Sequence, residues 1–193
     1  YDLLIYAKNG HRPQLLEHLA EVCPRHIQIQ RFASDGSPVW AEVQNLFDET
    51  SVPLGYHPKI QSDAVGGLVA AWHASVGNLH SSRYQHVDAG GSELYPHNGV
   101  PVSTAAMMHV DPTLAYHPET GEAFIFWNER NPGQTLWGIY GQRISNTGVR
   151  LWGNEGAVLL PVNDTYKSYP RSVPCTGGAM VFTADEPAAA YAE

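Results

Sequence analysis

The sequence predicts an all-β fold of repeated four-stranded antiparallel sheets, and three observations carry that expectation. A motif returns at fixed offsets along the chain, and apolar strands bounded by glycine turns recur between its copies. The composition is that of a β protein, with 18 Gly, 14 Pro, 10 Tyr and 5 Trp among 193 residues. Gly and Pro punctuate turns, and aromatics fill pleated, half-buried surfaces. With 43% hydrophobic and 16% charged positions, the chain is apolar enough to bury a core and unlike a disordered one.

The motif starts at Gln30, Gln85 and Gln142, 55 and 57 residues apart. Each copy carries Gly six positions later (Gly36, Gly91, Gly148) and an aromatic ten positions later (Trp40, Tyr95, Trp152). Gly99 and Gly156 again match, four residues past Tyr95 and Trp152. The other half of each unit repeats as His57-Pro58, Asp111-Pro112 and Tyr169-Pro170, each leading to a Gly turn and an apolar strand. Each unit thus reads as four strands, A to D, with glycine turns between A and B and between C and D. Strand A falls near 57–62, 111–116 and 169–174, and strand B near 67–73, 122–128 and 178–184. Strand C falls near 26–33, 80–88 and 137–145, and strand D near 39–46, 94–102 and 151–160.

A four-stranded unit of this length is one blade of a β-propeller, whose edges stay exposed until neighbours pack around a common axis. About three and a half blades are expected, as a single domain or a fragment of one: a partial blade over 1–48, blades over 57–102 and 111–160, and a partial blade over 169–184. Asp2 to Tyr6 resembles a B strand, so the chain is expected to open inside one blade and stop inside another. Pro13, Leu15, Leu16, Leu19 and Val22 have the spacing of an apolar helix face with Pro in its first turn, predicting a short helical insertion near 13–22.

The Gln motif resembles the C–D turn of bacterial secreted propellers of the sialidase-like type, in which an Asp, a Gly and a following Trp recur. It departs from the usual Asp-box: Gly36 and Trp40 are four apart rather than three, and Asp35 is replaced by Gly90 and Thr147 in the other copies. It is closer to divergent repeats of large secreted and surface bacterial proteins. The resemblance implies a propeller fold and an extracellular or cell-surface setting; it assigns no activity. Trp40, Trp72, Tyr95, Trp127 and Trp152 are expected to wedge between blades, and Gly36, Gly91 and Gly148 to take left-handed turn conformations.

Candidate chemistry belongs on the face that carries the B–C and D–A loops. His57, His109, Asp111, Tyr169 and Arg171 are expected from D–A loops, with Glu129 and Arg130 from a B–C loop. A metal site would draw on His57, His109 and Asp111, but no compact ligand spacing supports it, and no cofactor is expected. A glycan-active site would pair Glu129 or Asp111 with His109 and Tyr169, with Arg130 and Arg171 holding a substrate carboxylate. Glu129 and Arg130 equally read as a solvated ion pair.

The favoured expectation is a non-catalytic binding or structural module for a glycan or a protein. Secreted acidic-polysaccharide hydrolysis or lysis is the alternative. The net charge of −8, from 11 Lys plus Arg against 19 Asp plus Glu, argues against a nucleic-acid partner. No apolar run reaches the roughly 18 to 20 residues a membrane span requires. The remaining partners expected are further blades of a longer chain or a second copy of this one. Cys23 and Cys175 allow at most one bridge, and Asn163-Asp164-Thr165 fits a glycosylation sequon.

Overall fold

A computed structural model describes residues 24–186 apart from Leu54 and Asn78. The strand-like opening segment, the helix expected near 13–22 and Cys23 lie outside these described residues.

The described chain is all β, with twelve strands in four antiparallel sheets. β1 (Ile27–Ile29) pairs with β2 (Gln44–Phe47). The second sheet runs β3 (Lys59–Ser62), β4 (Leu68–Val76), β5 (Leu79–Val87), β6 (Val100–Pro101). The third runs β7 (Met108–His117), β8 (Glu122–Arg130), β9 (Trp137–Ile144), β10 (Ala157–Asn163). β11 (Tyr166–Cys175) and β12 (Gly178–Glu186) form the fourth. Strand order follows chain order in every sheet, so each is a meander. The two complete sheets are the expected A-to-D units; β1 and β2 occupy the C and D positions, and β11 and β12 the A and B positions.

The three Gln motifs share one turn and one glutamine clip. Gly36 N–H donates to Ala33 O at 3.0 Å, Gly91 N–H to Asp88 O at 3.1 Å and Gly148 N–H to Ser145 O at 3.0 Å. The glycines sit at φ +86°, +92° and +81°, where a Cβ is disfavoured. Each glutamine is a clip. Its Oε1 accepts the N–H of the next residue (Arg31, His86, Arg143), and its Nε2 donates to a carbonyl beyond the turn: Trp40 O, Tyr95 O or Gly153 O.

Strand D begins later than expected, at 44, 100 and 157. The aromatic therefore lies in the turn before the strand, and the physical reason is its partner. Trp40 lies against Gly91 of the next motif and donates Nε1–H to Ala89 O at 3.0 Å. Tyr95 lies against Gly148 in the same way, its Oη donating to Ser145 O at 3.4 Å. The delayed strand also lets Gly99 and Gly156 pass beneath Trp72 and Trp127 of their own sheets. A Cβ on either glycine would stand 2.9 Å from the indole.

Three apolar clusters lie between successive sheets. Ile27, Trp40, Phe47, Trp72 and Val87 join the first sheet to the second. Tyr84, Tyr95, Val102, Leu114, Ile125, Trp127 and Ile144 join the second to the third. Phe124, Phe126, Trp152, Ala179 and Val181 join the third to the fourth. No single sheet shelters its own apolar side chains; each depends on its neighbours.

Strands β7 and β11 each continue through a proline. The register slips between Val110 and Thr113 and between Ser168 and Arg171, because Pro112 and Pro170 have no N–H to give the ladder. Asp111 and Tyr169, the residues before them, take φ +49° and +54°, an uncommon conformation for non-glycine residues.

Candidate functional site

Six of the seven candidates expected in loops lie in strands: His109 and Asp111 in β7, Glu129 and Arg130 in β8, Tyr169 and Arg171 in β11. Only His57 lies in a loop, exposed before β3. The bulges at Asp111 and Tyr169 are the reason, since they carry β7 and β11 past their prolines. β8 lengthens to match β7.

The structure sorts these residues into two groups. In the first, His109 and Glu129 are cross-strand partners, each 2% exposed, with His109 Nε2 3.6 Å from Glu129 Oε2. Trp127 Nε1–H donates to the same Oε2 at 2.5 Å, and the imidazole sits edge-on to the indole at 5.7 Å between centroids. Burial pushes the Glu129 carboxyl up to about 7; the Trp127 hydrogen bond opposes this and the Glu155 charge adds to it. Burial pushes the His109 imidazole down to about 4. Between those values both groups are neutral, a carboxylic acid facing an imidazole, which is a proton-donor and proton-acceptor pair. Neither His109 ring nitrogen reaches a hydrogen-bond partner among the described residues. Both side chains are buried beside Trp127.

Asp111 anchors the second group. Its carboxylate stands 3.6 Å from Lys59 Nζ and 3.4 Å from Arg171 Nη1, so the A strands of three successive sheets meet in one charge cluster. The Asp111 N–H donates to His73 Nδ1 at 3.2 Å. Burial, helped by the neighbouring His80, holds His73 down to about 3, so it accepts as a neutral imidazole.

Arg130 does not pair with Glu129 as a surface ion pair would; it donates to Asn128 Oδ1 and Gln134 Oε1. Tyr169 is 58% exposed. His57, His109 and Asp111 are not brought together, and among the described residues no three His, Cys, Asp or Glu side chains converge as metal ligands. Lys59 escaped sequence reasoning although a signal existed: it follows Pro58 as Arg171 follows Pro170.

A cavity of about 600 Å³ lies at the opposite end, between the A–B turns of the third and fourth sheets. Tyr116, His117, Glu122, Phe124, Arg143 and Gly177 line it. Its one fixed ion pair is Arg143 on both Glu122 oxygens, at 2.8 and 2.9 Å. A second, of about 460 Å³, is lined by Arg25, His26, Val52, Tyr56, His57 and Pro58 at the D–A end of the first two sheets. The acid/base candidates Glu129 and His109 line neither. Searches against protein-family models, curated proteins and solved structures returned no match to this chain.

Proposed function

We propose that the chain is a run of β-propeller blades acting as a non-catalytic binding or structural module in an extracellular or cell-surface setting. One observation carries this reading: three of the acid/base candidates, Glu129, His109 and Asp111, are buried or ion-paired within the scaffold. Glu129 and His109 are sealed between sheets, and Asp111 is neutralised between Lys59 and Arg171. A general acid or base must come within hydrogen-bond reach of the proton it moves, and this arrangement offers no such approach. The recurrence of one turn, one clip and one aromatic wedge supports radial repetition of blades.

Where a ligand docks, the cavity beside Tyr56 and His57 suits it best. It combines two rings able to stack on a sugar with the Arg25 guanidinium, whose Nε is fixed on Val52 O at 2.8 Å. The test is a glycan array run beside reducing-end and unsaturated-uronate assays on acidic polysaccharides. Binding that Tyr56→Ala removes, without turnover, is expected. Turnover abolished by the double change His109→Ala, Arg171→Ala would overturn the reading in favour of a polysaccharide-active enzyme.

A further inference from the structure

The copies of the Gln motif differ at two positions where successive sheets meet. Eight and twelve residues after the glutamine, the second copy has Glu93 and His97, the third Arg150 and Asn154, and the first Pro38 and Glu42. In the second copy these residues reach back to the first sheet, and in the third they reach back to the second. Two equivalent junctions are therefore fastened by different chemistry.

Between the second and third sheets the fasteners are a guanidinium, an amide, a hydroxyl and backbone, whose charges do not change near neutral pH. Arg150 Nη1 donates to Pro101 O at 3.1 Å and its Nη2 to Asn154 Oδ1 at 3.3 Å. Thr104 N–H and its hydroxyl donate to Asn154 O at 2.9 and 3.3 Å.

Between the first and second sheets, the same place is held by an imidazole set between two carboxyls. His97 Nδ1 lies 2.8 Å from Glu93 Oε2, and its Nε2 lies 3.0 Å from Oδ1 of Asp48, the residue that follows β2. Both carboxyls are positioned by further bonds. Glu93 Oε1 accepts Gln85 Nε2 at 3.2 Å, and the Asp48 N–H donates to Asn98 Oδ1 at 2.8 Å. Glu49 N–H donates to the same Asn98 oxygen at 3.3 Å. A neutral imidazole has one N–H and one lone pair, so with both carboxyls ionised only the imidazolium can donate to both.

We propose that Asp48, His97 and Glu93 form a pH-sensitive latch, which fastens the first sheet to the second while His97 is protonated and loosens as the proton leaves. Hydrogen bonds to Glu93 and Asp48 hold His97 above its ordinary 6.5. Its contribution is thus fully present below about 6.5 and is lost as pH rises through the folded value. The hydrogen bond from His97 lowers Asp48 below its ordinary 3.8, so the acid limit of the latch lies lower still. Of the other charged groups described around it, Glu49 pairs with Arg83 at 2.8 Å, and His26, ahead of β1, acts on Asp48 through its charge.

The latch is independent of the proposed binding role and is tested without a ligand. The His97 ring is followed by NMR across pH in the 193-residue chain. It should titrate above an ordinary histidine, and Asp48→Asn and Glu93→Gln should each bring it down. Hydrogen exchange, corrected for intrinsic rates, then reads the junction itself. Glu49 N–H and Trp40 Nε1–H are bonded across the first junction, to Asn98 Oδ1 and Ala89 O, and Thr104 N–H across the second. As His97 deprotonates, the first two should lose about threefold or more of their protection relative to Thr104, the scale of partly exposed ion pairs. His97→Asn, which places there the residue type of the third copy, should abolish that loss. An ordinary His97 titration, one indifferent to both carboxyl changes, an absent loss, an equal loss at the two junctions, or a loss that persists in His97→Asn would each overturn the proposal.

Discussion

The ring of Tyr95 lies so close over Gly148 that a methyl group there would come within 2.9 Å of Tyr95 Cδ1. The same fit joins Trp40 to Gly91, and it is the smallest unit of sheet-to-sheet recognition in this protein. It couples a turn that only glycine enters comfortably to an aromatic from the preceding sheet.

Gly148→Ala is therefore expected to combine backbone strain of about 1 to 2 kcal/mol with overpacking of about 1 to 3 kcal/mol. Gly153→Ala is the control, since Gly153 shares the left-handed conformation (φ +79°) but has nothing within 4 Å of its Cβ position. Urea denaturation should show the larger loss for Gly148→Ala. Equal losses would deny the contact any role.

Trp72 and Trp127 occupy equivalent positions with different polar fates. Trp127 Nε1 donates to Glu129, whereas Trp72 has Ala74 in the corresponding place and its Nε1 has no partner among the described residues. Replacing either by Ala should cost about 3 to 5 kcal/mol. Phe at 127 should cost about 1 to 3 kcal/mol more than Phe at 72, because it leaves a buried carboxyl short of a donor. Equilibrium unfolding of the two Phe variants decides the point.

Glu129 and His109 make opposed contributions to the pH dependence of stability. The folded pKa of Glu129 is raised from 4.5 to about 7, so between those values the folded state holds the extra proton and stability falls as pH rises. The folded pKa of His109 is lowered from 6.5 to about 4. There the unfolded state holds the extra proton, and stability rises with pH. Between about pH 4.5 and 6.5 the two largely cancel. Glu129→Gln should expose a stability that increases with pH across this window, and His109→Gln one that decreases. Melting temperatures in matched buffers should diverge in those directions, and parallel curves would refute the assignment.

Asp111 combines partly exposed ion pairs with an unusual backbone conformation. Asn tolerates φ +49° and removes only the charge, so Asp111→Asn should cost under about 1 kcal/mol, with the difference shrinking in high salt. Asp111→Val removes the same charge and also places a β-branched residue at positive φ, so it should cost about 1 to 3 kcal/mol more than Asp111→Asn, a difference that salt does not change. Thermal denaturation at low and high ionic strength separates the two.

The strand content, the two complete sheets and the glycine corners were legible because each depends on local pattern: period-two apolar runs, turn residues and fixed offsets. The candidate site was less so. Glu129 and Arg130 read as a solvated pair because adjacent opposite charges usually are one, yet adjacent strand residues point to opposite faces, and that separates them. His109 and Asp111 were expected in the D–A loop before a strand near 111–116, whereas β7 already starts at Met108 and runs through a bulge at Asp111.

By itself the sequence determined the strand order, the repeat and the positions where only glycine serves, since these follow from backbone sterics and side-chain periodicity over a few residues. The tertiary structure alone decided which polar groups are buried, which cations meet Asp111, and which aromatic lies on which glycine. Those outcomes depend on how one sheet is laid against the next, a relation between residues roughly 55 positions apart that no local pattern encodes.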